Sequence, residues 1–398
     1  MAQKKSSTLL FLVAMVSTGT FLLFPSLASA ASVNLAKTGQ STCYNQTGVV
    51  IDCSGTGQDG EHQIGIPWPD PRFSDNGDGT ITDNLSGLTW LKDTECIGRS
   101  KWLDALNSVN ALANGSCGLT DSSVAGDWRM PNYLELISIA NLGVTNSIAW
   151  FNSFGFTNLE AYGYYSSTSA VLNNSSIKGF NFSARFSGTY LKSGGYQTWP
   201  VKGVSTGPAK IWQTGQTSCY GVTRDSVIPC TGTGQDGEYQ AGEPLPDTRF
   251  VDNADGTVTD NLTGFIWLRN MNCFGPRVWQ DALSDANNLA DGACDLTDGS
   301  AAGDWRLPNP LELTSLVDFS KGAQMLTTGH PFTNYALNGH WTSTSYMTST
   351  NHAYWGGPAT HGVYVYLPKS HETAGFSWPV RGGFVIDEPE EVFADGFE

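Results

Sequence analysis

The residues best able to bind a metal ion lie in an acidic stretch that the chain contains twice. Residues 72 to 90 read RFSDNGDGTITDNLSGLTW, and residues 249 to 267 read RFVDNADGTVTDNLTGFIW. Carboxylates at this density could coordinate calcium, but Gly77 and Gly79 stand where an EF-hand loop places oxygen ligands. Asp, Asn and Gly also favour tight reversals, so we predict hairpins and keep calcium binding as the alternative. The candidate metal ligands are Asp75, Asp78, Asp83, Asp252, Asp255 and Asp260.

A second group of candidates occupies the last third of the second half of the chain. Five histidines lie there among tryptophans and tyrosines that include Tyr354, Tyr364 and Tyr366, whereas the matching part of the first half has no histidine. Exposed aromatic rings with polar neighbours can stack on sugar rings and complete their hydrogen bonds. A loop-rich surface with scattered imidazoles is the other interpretation. The candidate ligand-binding residues are His340, Trp341, Tyr346, His352 and Trp355.

The sequence gives little support for catalysis. Every cysteine belongs to a repeated quartet, so none is left over as a reactive thiol. No G-x-S-x-G elbow or HExxH motif occurs, and GTGQDG lacks the Lys-Ser/Thr ending of a phosphate loop, which favours a tight turn. Asp127 with Arg129, and Asp304 with Arg306, are predicted to be structural ion pairs. We expect no catalytic residues and no cofactor, calcium excepted.

The cysteines indicate an exported, disulfide-bonded protein. They form two quartets whose matching members are 176 or 177 residues apart. An even count at repeated spacings is typical of a disulfide framework, although sequence alone allows three pairings per quartet. We predict bonds between nearest neighbours, with a zinc site as the alternative. The predicted pairs are Cys43 with Cys53, Cys96 with Cys117, Cys219 with Cys230 and Cys273 with Cys294.

The same offset extends to whole phrases and indicates a tandem duplication. GTGQDGE occurs twice without change, and AGDWRMPNYLEL returns as AGDWRLPNPLEL. A unit of about 170 residues has the size of a domain, and since each copy has its own cysteines we expect each to fold alone. The predicted organisation is a signal peptide at 1–30, a first copy at 31–203, a linker at 204–210, a second copy at 211–383 and an acidic tail at 384–398.

Each copy shows an α+β pattern of short strands, turns and two helices. Trp102, Leu106 and Val109 recur at helical spacing, and the second copy repeats the pattern. A second helix is predicted to begin at Asn132 and at Asn309, because each is followed three residues later by Glu, as in a capping box.

Composition and charge restrict the compartment and the partners. Lys4 and Lys5, the apolar run after them and the sequence Ala28-Ser29-Ala30 predict a cleaved signal peptide. Without Lys4 and Lys5 the chain has 19 basic against 37 acidic residues, a net charge near −18. Such a surface repels nucleic acid, anionic lipid and sulfated polysaccharide. We expect no nucleic-acid partner, no membrane insertion after signal cleavage, and a neutral or cationic ligand.

Several long phrases carry a resemblance to a known family. RFSDNGDGTITDNLSGLTWLKD, GDWRMPNYLEL and the closing WPVKG resemble the Lcl C-terminal domain family, found at the end of collagen-like adhesins. The resemblance covers nearly all of both copies. It implies two tandem C-type-lectin-like domains with small antiparallel sheets, two helices and long loops in each. It also implies extracellular binding of a host polysaccharide.

Taken with the residues, this resemblance predicts a secreted or surface-displayed binding protein without catalytic activity, with the periplasm as an alternative location. The expected partner is an extracellular glycan or protein, bound mainly by residues 211 to 383. A structural or protein-interaction module of the cell envelope, without sugar affinity, is the alternative function.

Overall fold

The computed structural model describes residues 32 to 322, 326 to 335, 339 to 357, 362 to 372 and 375 to 382. The predicted signal peptide and the predicted acidic tail lie outside the described residues. The described residues belong to one compact unit. Within these ranges, none of the helices combines the length and apolar character that crossing a bilayer requires.

The first copy contains nine short strands and four helices in the described ranges. Its strands are β1 (Cys43–Tyr44), β2 (Val50–Ile51), β3 (Phe73–Asp75), β4 (Thr80–Asp83), β5 (Thr89–Leu91), β6 (Gly163–Ser169), β7 (Ser176–Asn181), β8 (Phe186–Leu191) and β9 (Val201–Lys202). Its helices are α1 (Asp59–His62), α2 (Trp102–Asn110), α3 (Tyr133–Ser138) and α4 (Ser147–Asn152), and a 3₁₀ turn covers Val171–Asn173.

The second copy repeats most of these elements. Its strands are β10 (Cys219–Tyr220), β11 (Val227–Ile228), β12 (Phe250–Asp252), β13 (Thr257–Asp260), β14 (Ile266–Leu268), β15 (Pro276–Arg277), β16 (Gly339–Ser345), β17 (His352–Gly357), β18 (Gly362–Pro368), β19 (Gly375–Phe376) and β20 (Val380–Arg381). Its helices are α5 (Asp236–Tyr239), α6 (Trp279–Asn287) and α7 (Pro310–Ser315).

Small sheets organise both copies, and the α+β prediction is confirmed. Strands β3-β4-β5-β9 and β12-β13-β14-β20 form matching four-stranded antiparallel sheets. A second sheet has the order β6-β7-β8 in the first copy and β15-β19-β16-β17-β18 in the second, where β16 and β19 pair in parallel. Helices α2 and α6 bury Trp102 and Trp279, as their helical spacing predicts.

The repeated acidic stretch forms a hairpin, which confirms the turn interpretation. Strands β3 and β4 pair with Asp75 opposite Ile81, and Trp90 on β5 is fully buried. The turn is held by side chains that accept from the backbone: Asp75 Oδ1 accepts from Gly77 N–H (3.0 Å), and Asp78 Oδ1 from Thr80 N–H (3.0 Å). Short polar side chains that bond two residues onward are typical of such reversals.

Both predicted capping boxes are present, but the neighbouring ion pair is not the predicted one. Asn132 accepts from Glu135 N–H, and Glu135 Oε2 accepts from Asn132 N–H (2.9 Å). Arg129 binds both carboxylate oxygens of Glu135 (2.5 and 2.6 Å), while Asp127 instead accepts from Val124 N–H. The predicted pairing with Asp127 is therefore wrong, because the helix-capping carboxylate lies closer to the guanidinium. The second copy makes the equivalent contacts.

The four nearest-neighbour disulfides are confirmed. Each bond closes a loop within one copy, and no cysteine of the described ranges is free. The first bond of each copy holds a two-stranded hairpin, and the second connects the segments that flank α2 or α6. The bonds join Cys43 to Cys53, Cys96 to Cys117, Cys219 to Cys230 and Cys273 to Cys294.

The beginning of each copy is bound to the other copy. We call residues 33–66 and 209–243 the N-terminal segments. Gln40 in the first of them donates to the carbonyl of Ser345 and accepts from its N–H, both at 2.8 Å. Gln216 makes the same two contacts with Ser169 (3.0 and 2.9 Å). The two copies are therefore interlocked by reciprocal contacts.

Each of these joints contains a buried carboxylate. Asp59 Oδ2 accepts from Thr38 of its own segment and from Thr344 of the other copy, both at 2.6 Å. Asp236 Oδ2 accepts likewise from Thr214 (2.7 Å) and Thr168 (2.6 Å). Burial raises the pKa of both carboxyl groups to about 6, because the two hydroxyl donors only partly replace water.

Each joint also contains a buried lysine. Lys369 Nζ donates to the carbonyl oxygens of Tyr44 and Asn45 (both 3.2 Å). Lys192 Nζ donates to those of Tyr220 (3.1 Å) and Gly221 (3.0 Å). Burial lowers the pKa of both lysines to about 7. The joints are thus built from identical residue types in equivalent places.

Candidate ligand-binding surface

Two of the five predicted ligand-binding residues are in the core. Trp341 on β16 is fully buried and donates from Nε1 to the Arg277 carbonyl oxygen (2.9 Å). His340 is also fully buried, donates from Nε2 to the Met271 carbonyl oxygen (3.3 Å), and has a pKa lowered to about 4 by that burial. Neither side chain offers a face to a ligand, so we correct the prediction for these two residues. All of β16 is buried because sheet neighbours and helices cover both its faces.

Tyr346 is buried as well, but it supports an exposed ring. Its hydroxyl donates to the Ala184 carbonyl oxygen of the first copy (2.7 Å), and only 2% of the residue is exposed. Its ring lies parallel to that of Tyr366, with centroids 3.9 Å apart and an angle of 8° between the planes. Tyr346 therefore positions Tyr366 and is itself covered.

His352 and Trp355 are partly exposed and lie on different faces of β17. His352 packs edge-on against Tyr366, with ring centroids 5.7 Å apart, and its Nδ1 lies 2.9 Å from Asn351 Oδ1. Burial and the nearby Lys369 lower the pKa of His352. Trp355 packs instead with the α6 side of the sheet, where it covers Gly339 so closely that a Cβ there has no room. The five predicted residues do not line one groove.

The exposed aromatic residues that do meet include one from each copy. Tyr366 on β18 is 40% exposed. Phe186 on β8 of the first copy approaches it with ring centroids 6.4 Å apart. We call Tyr366, His352 and Phe186 the aromatic surface. Tyr366 belongs to the aromatic cluster visible in the sequence, whereas no local pattern connects it with Phe186, 180 residues earlier.

The six candidate calcium ligands do not converge on a common point. Asp83 is buried and binds Arg72 through both oxygens (2.7 and 3.3 Å), and Asp75 binds Lys92 (2.5 Å). The bond from Lys92 lowers the pKa of Asp75. Asp78 is engaged with Thr80 in the turn. Their oxygens are directed to separate partners, so the calcium alternative does not fit this geometry.

The second acidic stretch has the same arrangement. Asp260 binds Arg249 (2.5 and 3.1 Å), Asp252 binds Arg269 (3.1 Å), and Asp255 accepts from the Thr257 backbone and hydroxyl. The pKa of Asp252 is lowered, first by the N–H of Ala254 and then by Arg269. Across the part of the chain that the structure describes, no group of three or more His, Cys, Asp or Glu could hold a metal ion.

Residues 79–202 and 256–381 match the family described as Lcl C-terminal domain. The two matches together cover more than half of the 398 residues. The chain belongs to the Lcl C-terminal domain family. The resemblance in the sequence and the tandem arrangement are confirmed. No curated protein and no solved structure is detectably similar to the chain.

The two Lcl C-terminal domains do not include the N-terminal segments. Both matches begin in the β3–β4 or β12–β13 turn, after the first disulfide of each copy. The family match therefore excludes the residues of the N-terminal segments that make the joints, namely Gln40, Asp59, Gln216 and Asp236. It includes Ser345 and Thr344, which bind the first N-terminal segment. The aromatic surface is formed entirely by residues of the two domains.

Proposed function

We propose that this protein is a non-catalytic binding protein, secreted or displayed at the cell surface, that recognises an extracellular ligand through its two Lcl C-terminal domains. Four disulfides support an oxidising compartment, with the periplasm as the alternative to the cell exterior. The ligand we favour is a neutral or cationic glycan, because a net charge of −16 over the whole chain repels sulfated polymers.

The aromatic surface is the observation that carries this proposal. A ring that is 40% exposed, as Tyr366 is, retains apolar area that can stack on the C–H face of a sugar ring. Stacking on Tyr346 and edge contact with His352 fix the ring before any ligand arrives, so little side-chain entropy is lost on binding. The His352 imidazole adds a hydrogen-bonding group beside that apolar face.

The test is a glycan array with and without calcium, followed by affinity measurements on two tyrosine variants. Tyr366→Ala should weaken binding about tenfold or more, since truncating a central aromatic contact costs on the order of 2 kcal/mol. Tyr162→Ala is the matched control, because Tyr162 is 49% exposed but lies outside the aromatic surface. A preference for heparin, or equal losses in both variants, would contradict the proposal.

Exposed valines favour a second candidate function, a protein-interaction module without sugar affinity. Val50 on the β1–β2 hairpin is 63% exposed, and Val227 on the equivalent β10–β11 hairpin is 67% exposed. Exposed apolar side chains on both hairpins are suited to contact with another protein. If no glycan binds, and Val50→Ser with Val227→Ser abolishes association with an envelope protein, this candidate replaces the first.

A further inference from the structure

A small cavity lies beside strand β7 of the first Lcl C-terminal domain. Its volume is about 60 Å³, and both copies contribute to its lining. Lys178, Ala170 and Phe319 are buried residues at its floor, whereas Thr189 and Lys321 are exposed at its rim. At about 10 to 15 Å³ for each water molecule, the cavity has room for about four to six non-hydrogen atoms.

Lys178 is the buried cation that lines this cavity, and Asp318, which also lines it, accepts instead from the backbone and hydroxyl of Ser320. Only 6% of Lys178 is exposed. In the described parts of the chain, Lys178 Nζ has no hydrogen-bond or ion-pair partner, whereas the buried Lys192 and Lys369 each donate to two carbonyl oxygens. Burial alone lowers its pKa to about 7, without a contribution from a neighbouring charge. The Nζ atom is not among the fully buried unpaired polar atoms, so it retains contact with solvent. An anion placed beside this largely buried ammonium group would offset part of its desolvation.

The second copy has larger side chains at the equivalent position. Lys178 is paired with Thr189 across β7 and β8, and the equivalent pair in β17 and β18 is Tyr354 with Tyr366. Ala170 donates its N–H to the strand that follows, and Tyr346 does the same in the second copy. Three tyrosines therefore occupy the place where the first copy has an alanine, a lysine and a threonine.

We propose that the cavity binds a small monocarboxylate with a short apolar tail, whose carboxylate pairs with the ammonium group of Lys178. The lining includes Lys178, Lys321 and Asp318, a net charge of +1 that matches one negative charge, and a dianion would leave a charge uncompensated in a strongly acidic protein. The apolar tail would lie against Ala170, Val317 and Phe319, which line the same cavity. The site is separate from the aromatic surface and does not depend on the proposed glycan binding.

The experiment is a calorimetric titration of the mature chain with straight-chain monocarboxylates from acetate to octanoate. We expect an affinity maximum at about three to four carbons, because the four to six non-hydrogen atoms that fit the cavity include both carboxylate oxygens. Lys178→Met should reduce that affinity about tenfold or more, since the carboxylate then enters an apolar site without a cation. The signal of Lys178 in NMR spectra of lysine-labelled protein should titrate at higher pH when the carboxylate is bound.

Two further variants keep the outcome decisive. Lys321→Met removes the same charge at the exposed rim and should change the affinity about fivefold at most. Ala170→Tyr introduces the side chain of the second copy, fills the cavity and leaves Lys178 in place, so it should abolish binding while the near-ultraviolet dichroism of the fold is retained. Equal losses for Lys178 and Lys321, binding without a length maximum, or unchanged binding in Ala170→Tyr would each overturn the proposal.

Discussion

Replacing Asp59 and Asp236 by asparagine should remove a large part of the pH dependence of stability between pH 4 and pH 6. Both carboxyl groups are buried in the joints between the copies, and burial raises their pKa from 3.8 to about 6. The folded protein therefore binds protons in this range that the unfolded chain has already released. Unfolding free energy contributed by these groups is fully present below about pH 4 and is lost as the pH rises through 6.

The size of the effect follows from the same values. A rise of about two pH units at about 1.4 kcal/mol each gives on the order of 3 kcal/mol per site, and twice that for both. Two charged groups of the other copy also act on Asp59. Glu312 raises its pKa and Arg306 lowers it, and each effect is smaller than that of burial. Since small proteins unfold with 5 to 15 kcal/mol, a change of this size is readily measured.

The assay is urea unfolding with intact disulfides at intervals from pH 3 to pH 8. The difference in unfolding free energy between the double variant and the original chain should be small and flat below pH 4, rise in favour of the variant between pH 4 and 6, and be flat above. Asp75→Asn is the control, because the bond from Lys92 lowers the pKa of Asp75 and its contribution is lost only as the pH falls below about 4. Parallel pH profiles for the double variant and the original chain would refute the reasoning.

Three further predictions concern stability and assembly. Glu135→Ala should lower the unfolding free energy by about 3 to 5 kcal/mol in urea, because it leaves the nearly buried Arg129 unpaired and removes a helix cap; a loss below 1 kcal/mol would contradict this. A chain of residues 204 to 383 alone should form dimers in light scattering, since its N-terminal segment has lost the first copy and can bind a second molecule instead; a monomer of unchanged stability would restore the expectation that each copy folds alone. Replacing Cys43 and Cys53 by serine should cost about 2 to 4 kcal/mol in the same urea assay, and no cost would mean that the joint alone holds this hairpin.

Features that depend on residues close in sequence could be predicted. The capping box at Asn132 requires only a glutamate three residues onward, and the turn at Asp75 only an acceptor two residues before a backbone N–H. Of the three pairings that each quartet allows, the nearest-neighbour one that we predicted is the one observed. In each case the interacting residues are close in sequence, so a local pattern is enough to identify both of them.

Features that depend on burial by residues distant in sequence could not be predicted. His340 and Trp341 lie in a strand rich in Ser and Thr that resembles an exposed one, and it is buried because elements from elsewhere in the chain cover both faces. Asp59 lies in GTGQDGE, whose first residues form the expected turn, with positive φ at Gly55 (71°) and Gly57 (68°), and whose last three residues begin α1. Its second role, accepting from Thr344 285 residues away, leaves no local signal except that the phrase is identical in both copies.

Comparison of the two copies separates the residues of the joints from those of the candidate binding sites. The joints use the same residue types in equivalent places: Asp59 corresponds to Asp236, and Gln40 to Gln216. This identity is what reciprocal contacts require, because each joint must satisfy one buried carboxylate and one buried lysine with the same donors and acceptors.

The two candidate binding sites, by contrast, occupy one equivalent position filled differently. In the second copy this position holds the tyrosine stack that presents Tyr366 to solvent, and in the first it holds the cavity above Lys178. An aromatic stack and a cavity cannot occupy the same volume, so one domain can present only one of them. An interlocked pair of domains can present both in a single compact unit, since the joints connect the two copies while the side chains at this position differ. Introducing the three tyrosines into the first copy should therefore close the cavity above Lys178 and leave the joints unchanged.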